Sequence, residues 1–445
     1  MTGSSDGRRR VMGSMPRTLC AVIGAGVALF AAGVPAQPAA QSSGVSFQTF
    51  SLWQAVSEAV LRNPNRVRAG HEVTAAGFQR DAAEWARFPT FSVDASPAVS
   101  GNRANTGTPS SVARLEQPLW AGGRIDAQID SARSLVSAAE SAEGETRQRL
   151  AEQTAVTYVG WMDAAARVDI AANAADLFLG LQRYVRRRES EGLASAADVA
   201  IAAARHGNAL AQVSELRGAL DRARAELASL TLVWSFLRGV PLSVPAFPDS
   251  AAAEAERTYL EKSPLAAQRR AEVESARSQV DVRKGQMLPR LALRVEHLSG
   301  LNSTPGPSSE SRALFVLQFT PEPGLASYSG YQGARSRLDA AVAQLDADEN
   351  DVRLRARTHL ADYAASRVQV SEIEPQVSAL DVASGSFARQ FEAGRKSWLE
   401  VLNTHRETVD AKLALSRART TRDQSALRLM VNTGTFWPWL DTLPK

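Results

Sequence analysis

Between residues 89 and 119 polarity alternates with a period of two. Phe91, Val93, Ala95, Pro97 and Val99 fall on one side, and Thr90, Ser92, Asp94 and Ser96 on the other, as in a strand with one apolar face. The alternation returns in 289–319, where Leu291, Leu293 and Val295 oppose Ala292, Arg294 and Glu296. Turn-rich stretches at 101–111 and 300–311 interrupt the two runs, which resume as returning strands near 112–119 and 313–319. Strands of this length with polar alternate positions suit a membrane barrel or a soluble hairpin packed on helices; alternation alone does not separate the two.

Elsewhere the pattern is helical. Helices are predicted over 52–87 and 254–285, the first opened by Ser51 as an N-cap and both ended by prolines. No proline occurs from 124 to 189, so this stretch predicts a rod of about 100 Å, which needs neighbouring rods rather than a compact core. In the second half Leu338, Val342, Leu345 and Val352, then Val370, Ile373, Val377 and Leu380, recur as in a coiled-coil seam; Pro375 within it predicts a kink. Gly192 and Gly394 interrupt the two rods. Each is followed by a serine, Ser195 or Ser397, able to cap a new helix over 196–234 or 397–431. Each glycine is therefore expected at the tip of an antiparallel helical hairpin.

The chain states this plan twice. The segments around Pro64 and Pro264, and around Pro89 and Pro289, match at an offset of 200, and Gly192 with Asp198-Val199 matches Gly394 with Glu400-Val401 at 202. The expected organisation is a first repeat at 47–235 (strand pair 89–119, hairpin 122–235), a linker at 236–253, a second repeat at 254–434 (strand pair 289–319, hairpin 330–431) and a tail at 435–445.

Charge and composition change the picture at the N-terminus. Arg8, Arg9, Arg10 and Arg17 precede or open an apolar run ending at Val34, and small residues follow; a secretory signal peptide over 1–36, cut between Ala36 and Gln37, is expected. That segment holds four arginines and one aspartate, so the formal charge of +4 would fall by 3 to +1, and nucleic acid is not an expected partner. Cys20 is the single cysteine and would leave with the signal. His71, His206, His297, His359 and His405 show no metal-ligand spacing, and no nucleotide-binding or nucleophile motif occurs; neither catalysis nor a cofactor is expected.

The duplicated order, with LWQAVSEAVLRNP, LEQPLWAGGRIDAQIDSA, EGLASAADV and FEAGRKSWLEVLN as its stretches, resembles the TolC family of bacterial outer-membrane factors. The resemblance spans roughly residues 47–434. It implies a mainly α, mixed fold: a homotrimer whose twelve-stranded outer-membrane β-barrel, four strands per chain, continues as a periplasmic α-helical barrel of coiled-coil hairpins. It further implies a periplasmic membrane-fusion adaptor and an inner-membrane ABC transporter, or a proton-driven pump, as partners. Gly192, Leu193, Gly394, Arg395 and Trp398 are then tip residues that dock the adaptor. The family's gate maps to Glu400 and Asn403, the latter in place of a second acid, and three Glu400 carboxylates around one axis are expected to raise each other's pKa. The family's latch maps to Lys396 reaching Asp198, with Phe391 in place of an aromatic that carries a hydroxyl. The second repeat has extra prolines and lacks the Gly-Gly of QPLWAGGR, reading QFTPEPGLASYSGYQGAR; together with RQFEAGRKSWLEVLN this resembles the branch that secretes large adhesins or RTX-type proteins more than multidrug efflux, the alternative. A periplasmic coiled-coil adaptor is a remoter alternative, because it needs one hairpin rather than two separated by strand pairs.

Overall fold

The computed structural model describes residues 46–96, 110–301, 307–320 and 323–444. The expected signal peptide with Ala36 and Gln37, most of the first turn-rich loop and residues 302–306 of the second lie outside them. The elements are β1 (Ser46–Phe50), α1 (Leu52–Arg62), α2 (Pro64–Trp85), β2 (Thr90–Ser96), β3 (Ser110–Trp120), α3 (Arg124–Ser190), α4 (Ala196–Thr231), β4 (Ser235–Gly239), α5 (Asp249–Lys262), α6 (Pro264–Gln286), β5 (Arg290–Leu301), β6 (Pro307–Gln318), α7 (Ala326–Glu392), α8 (Trp398–Thr433) and α9 (Phe436–Leu440).

The duplication holds at the level of whole elements. α3 and α7 both have 67 residues, and α4 and α8 both have 36. The helices expected over 52–87 and 254–285 are each two helices, because Pro64 and Pro264 occupy first-turn positions behind capping Asn63 and Ser263; proline suits that position and cannot continue a helix into it. α7 runs through Pro375 without a break.

Four strands form one antiparallel sheet in the order β2-β3-β5-β6. The register puts Phe91, Leu115, Val295 and Ala313 in one row and Ser92, Arg114, Glu296 and Arg312 in the next, so apolar and polar residues occupy opposite faces. The apolar face is uncovered: Phe91 is 70%, Phe315 75% and Leu317 69% exposed. On the other face a charge ladder crosses all four strands. Asp94 receives Arg114 at 3.4 Å, Arg114 reaches Glu296 at 3.0 Å, and Arg312 reaches the other oxygen of Glu296 at 2.8 Å. Arg294 pairs with Glu116 beside it at 2.7 Å.

Between sheet and helices two glycines let the backbone close up. A Cβ on Gly285, at the end of α6, would lie 2.9 Å from the backbone nitrogen of Arg124 and from the carbonyl oxygen of Gly122. Gly122 itself has φ 62°, and a Cβ there would meet that of Leu288 at 2.8 Å. The Gly-Gly of the first repeat is therefore a point of close approach between α3 and α6 as well as a turn.

Midway along the long helices lies the main apolar core, containing Phe50, Tyr158, Trp161, Leu227, Phe247, Tyr363, Leu427 and Phe436. It is assembled by elements absent from the sequence expectations. β1 pairs in parallel with β4, inside the expected linker, and α9 turns the expected tail back onto the core. The buried Tyr158 hydroxyl donates to the Phe50 carbonyl (2.8 Å) and accepts from the Val240 amide (3.0 Å), joining both crossing segments to α3. Among the described residues no helix is long and apolar enough to cross a membrane.

Candidate functional site

The hairpin tips lie at the far end of the long helices from the sheet. At the first, Leu193 N–H bonds back to Arg188 (2.7 Å) and Gly192 N–H to Glu189 (2.9 Å); at the second, Arg395 bonds to Gln390 (2.8 Å) and Gly394 to Phe391 (2.9 Å). Both are Schellman caps. Gly192 and Gly394 have φ 75° and 70°, a conformation that glycine takes without steric cost. Leu193 is 62% exposed, and Arg395 is exposed.

Each outgoing helix opens with a capping box. Ser195 accepts from Asp198 N–H while an Asp198 oxygen accepts from Ser195 N–H at 3.0 Å; Ser397 and Glu400 do the same, also at 3.0 Å. One oxygen of each carboxylate is thereby engaged, and the second is free for another partner. Glu400 gives its second oxygen to Lys396 at 2.7 Å, within its own tip. Asp198 takes the indole N–H of Trp398 at 3.0 Å, from the other hairpin.

Within one chain the contact expected of the latch is not made. Lys396 does not pair with Asp198. Its ammonium is held by Glu400 one helical turn away and lies 4.3 Å from the centre of the Phe387 ring, and the polar link between hairpins comes from Trp398. Phe391 keeps its place by packing: it is buried, with the Tyr184 ring at 5.2 Å and the Arg188 guanidinium at 5.7 Å, so the missing hydroxyl leaves no polar gap. Asp198, Lys396, Phe391, Leu193 and Trp398 together line a cavity of about 200 Å³ between the tips.

Glu400 and Asn403 are exposed one turn apart on α8. Within one chain the Glu400 carboxyl is not raised. The Lys396 hydrogen bond first, then the Ser397 amide and hydroxyl, hold it down at about 2. Because this pKa lies below the ordinary value of 4.5, the contribution of Glu400 to the tip is complete above pH 4.5 and is lost as pH falls towards 2. A carbon NMR titration of a Glu400-labelled protein should therefore show it ionised throughout pH 5–8; a midpoint above the ordinary glutamate value would restore the repelling ring. Asp198 is likewise held below the usual carboxylate range, first by the Ser195 amide and hydroxyl and further by Trp398. Among the described residues no group of His, Cys, Asp and Glu is placed to hold a metal ion.

Comparison with known proteins places this geometry. The family described as outer membrane efflux protein matches residues 55–231, from α1 to the end of α4. The cobalt-zinc-cadmium resistance protein CzcC of Cupriavidus metallidurans is 24% identical over 322 residues, 71% of this chain and 74% of CzcC. The solved structure of CusC, described in terms of transmembrane channel formation, superposes with a TM-score of 0.76 at 16% identity, covering 88% of this chain and 95% of its own. The outer membrane protein VceC of Vibrio cholerae superposes with a TM-score of 0.72 at 17% identity, over 86% and 96%. At these identities the structural likeness is one of fold.

Proposed function

We infer that this chain, whose residues 55–231 match the outer membrane efflux protein family, is the outer-membrane duct of a tripartite efflux system. The observation that carries this is the sheet. Exposed Phe91, Val93, Phe315 and Leu317 make an apolar surface that suits lipid, and the Asp94-Arg114-Glu296-Arg312 ladder suits a wet lumen. β2 and β6 end the sheet with free edges, which a bilayer does not tolerate. A homotrimer resolves this, because three copies supply twelve strands and leave no edge. The helical hairpins then extend the lumen into the periplasm. Their tips meet a membrane-fusion adaptor, and an inner-membrane ABC transporter or proton-driven pump supplies the energy. The chain itself is a conduit and not an enzyme.

Efflux of small solutes is favoured over secretion of a large adhesin or RTX-type protein. CzcC is named for resistance to three divalent metals, and such cations fit a passage lined by Glu400. The case for secretion rested on the extra prolines and the missing Gly-Gly of the second repeat, together with RQFEAGRKSWLEVLN. Gly324, at φ 60°, turns the chain into α7 as Gly122 and Gly123 turn it into α3, so that difference demands no separate branch. Deleting the gene is expected to sensitise cells to cobalt, zinc or cadmium salts or to hydrophobic drugs, measured as inhibitory concentrations. Unchanged resistance with loss of a large secreted protein from the medium would replace efflux by secretion.

A further inference from the structure

Where the middle of α3 meets the end of α8, beside the main core, lies a cavity of about 530 Å³. That size is ordinary for a small-molecule site. Its walls come from both repeats, α3 from the first and α5, α6, α7 and α8 from the second. The guanidiniums of Arg149, Arg355 and Arg428 line it together with the carboxylates of Glu145 and Glu152, and Val156, Leu265 and Val352 supply an apolar side.

The charges in this cavity do not satisfy one another. Glu152 accepts from the Asn432 amide at 2.8 Å and has the Arg428 Nε at 4.0 Å. Arg149 and Arg355 have no hydrogen bond or ion pair among the described residues. Neighbouring arginines of α6 and α7 do: Arg269 holds Asp348, Arg270 and Arg353 hold Glu349, and Arg357 holds Glu256. The Tyr259 hydroxyl lies 3.2 Å from His359 Nδ1 and 3.3 Å from the Arg428 carbonyl oxygen. Burial first, then Arg428, holds the His359 pKa below its ordinary value, as expected of a recess with positive charge close by. The duplication shows that the fold does not require this lining. At offsets of 200 and 202 the first repeat has Ala59 for Tyr259, Gln153 for Arg355, Thr157 for His359, Glu226 for Arg428 and Leu230 for Asn432. The long helices that carry these positions are equal in length, so the lining is particular to the second repeat.

We propose that this cavity binds a small organic oxyanion, a carboxylate or a phosphate monoester. Its charged end lies among Arg149, Arg355 and Arg428, and its apolar body rests on Val156, Leu265 and Val352. Guanidiniums match both kinds of oxyanion with paired N–H donors, and three of them against two carboxylates leave one positive charge for the ligand to neutralise. Glu152 does not bar it, because Asn432 and Arg428 already engage that carboxylate. The bound molecule ties the first repeat to the second beside the main core. All of its contacts fall within one chain, so the inference goes beyond the duct reading and does not depend on it.

Isothermal titration calorimetry on the purified protein in detergent tests this, with benzoate and phenyl phosphate as probes and benzylammonium as the cationic control. At least one anion should bind saturably, the cation should not, and the preferred anion tells carboxylate from phosphate. Arg355→Gln and Arg149→Gln should each weaken binding roughly tenfold, the effect of losing one charge-assisted hydrogen bond. Both side chains are exposed, so these variants should keep the wild-type melting curve, recorded alongside. Arg357→Gln, on the same helix but outside the cavity, should bind as wild type does. Saturable binding of neither anion, preference for the cation, or binding that Arg355→Gln and Arg149→Gln leave unchanged overturns the site. Equal weakening by Arg357→Gln overturns it too, because the anion would then be reading surface charge. None of these outcomes depends on pore formation, so the duct reading stands or falls separately.

Discussion

Replacing Phe315 by arginine is expected to abolish accumulation of the protein in the outer membrane. Phe315 is 75% exposed on the apolar face of β6. In water an arginine there would be neutral or would improve solubility, because nothing is displaced. In lipid it would place a charge against hydrocarbon at a cost of roughly 2–4 kcal/mol near the midplane, and the proposed trimer would incur that cost three times. Leu314 is the control. It is the neighbouring residue on the opposite face of the sheet, in register with Arg294, so Leu314→Arg should be tolerated within the charge ladder. Immunoblots of outer-membrane fractions read the difference directly. Equal accumulation of the two variants would mean that neither face of the sheet meets lipid.

The second large effect is expected at Gly285. Its added Cβ would press on the Arg124 amide and the Gly122 carbonyl, both at 2.9 Å, and these are backbone atoms that cannot rotate away. Overpacking of this kind costs about 1–3 kcal/mol, and more where no side chain can yield. Gly285→Ala should lower the thermal unfolding midpoint by several degrees, and Gly285→Val should prevent the proposed trimer from forming. An unchanged melting curve for Gly285→Val would show that α3 and α6 are free to separate. The site is chosen because it lies where helices give way to strands, so a wedge there misdirects both.

Much of this architecture was legible in the sequence, for local reasons. The strands announced themselves because one face of each is apolar and the other carries Arg114, Glu116, Arg294 and Glu296. The hairpins followed from Gly192 and Gly394, since a left-handed residue at a helix end is a local requirement, and duplication confirmed each half by the other. What escaped was non-local. β1 and β4 are five residues each and pair across nearly two hundred positions, with no alternation long enough to mark them. Asn63-Pro64 and Ser263-Pro264 fall inside the helices predicted from the pattern, although each pair is a cap followed by a first-turn proline. The need for glycine at 285 lies in the approach of another segment, and nothing around it signals this. At the tip, the family resemblance implied a link from Lys396 to the turn that holds Asp198. The fold satisfied Lys396 within its own helix turn and gave the aspartate an indole instead, a pairing that charge alone could not suggest.

The equal lengths of the paired long helices carry a consequence for how this chain can change over time. One residue inserted into α3 or α7 would advance that hairpin's tip by about 1.5 Å and rotate it by about 100°, carrying Trp398 out of reach of Asp198. Substitutions can accumulate along these rods almost freely, but insertions and deletions cannot, unless a matching one falls in the other half. Homologues should therefore drift widely in composition while keeping the count of residues between sheet and tip fixed, and the rare length variants should come in pairs, one per repeat.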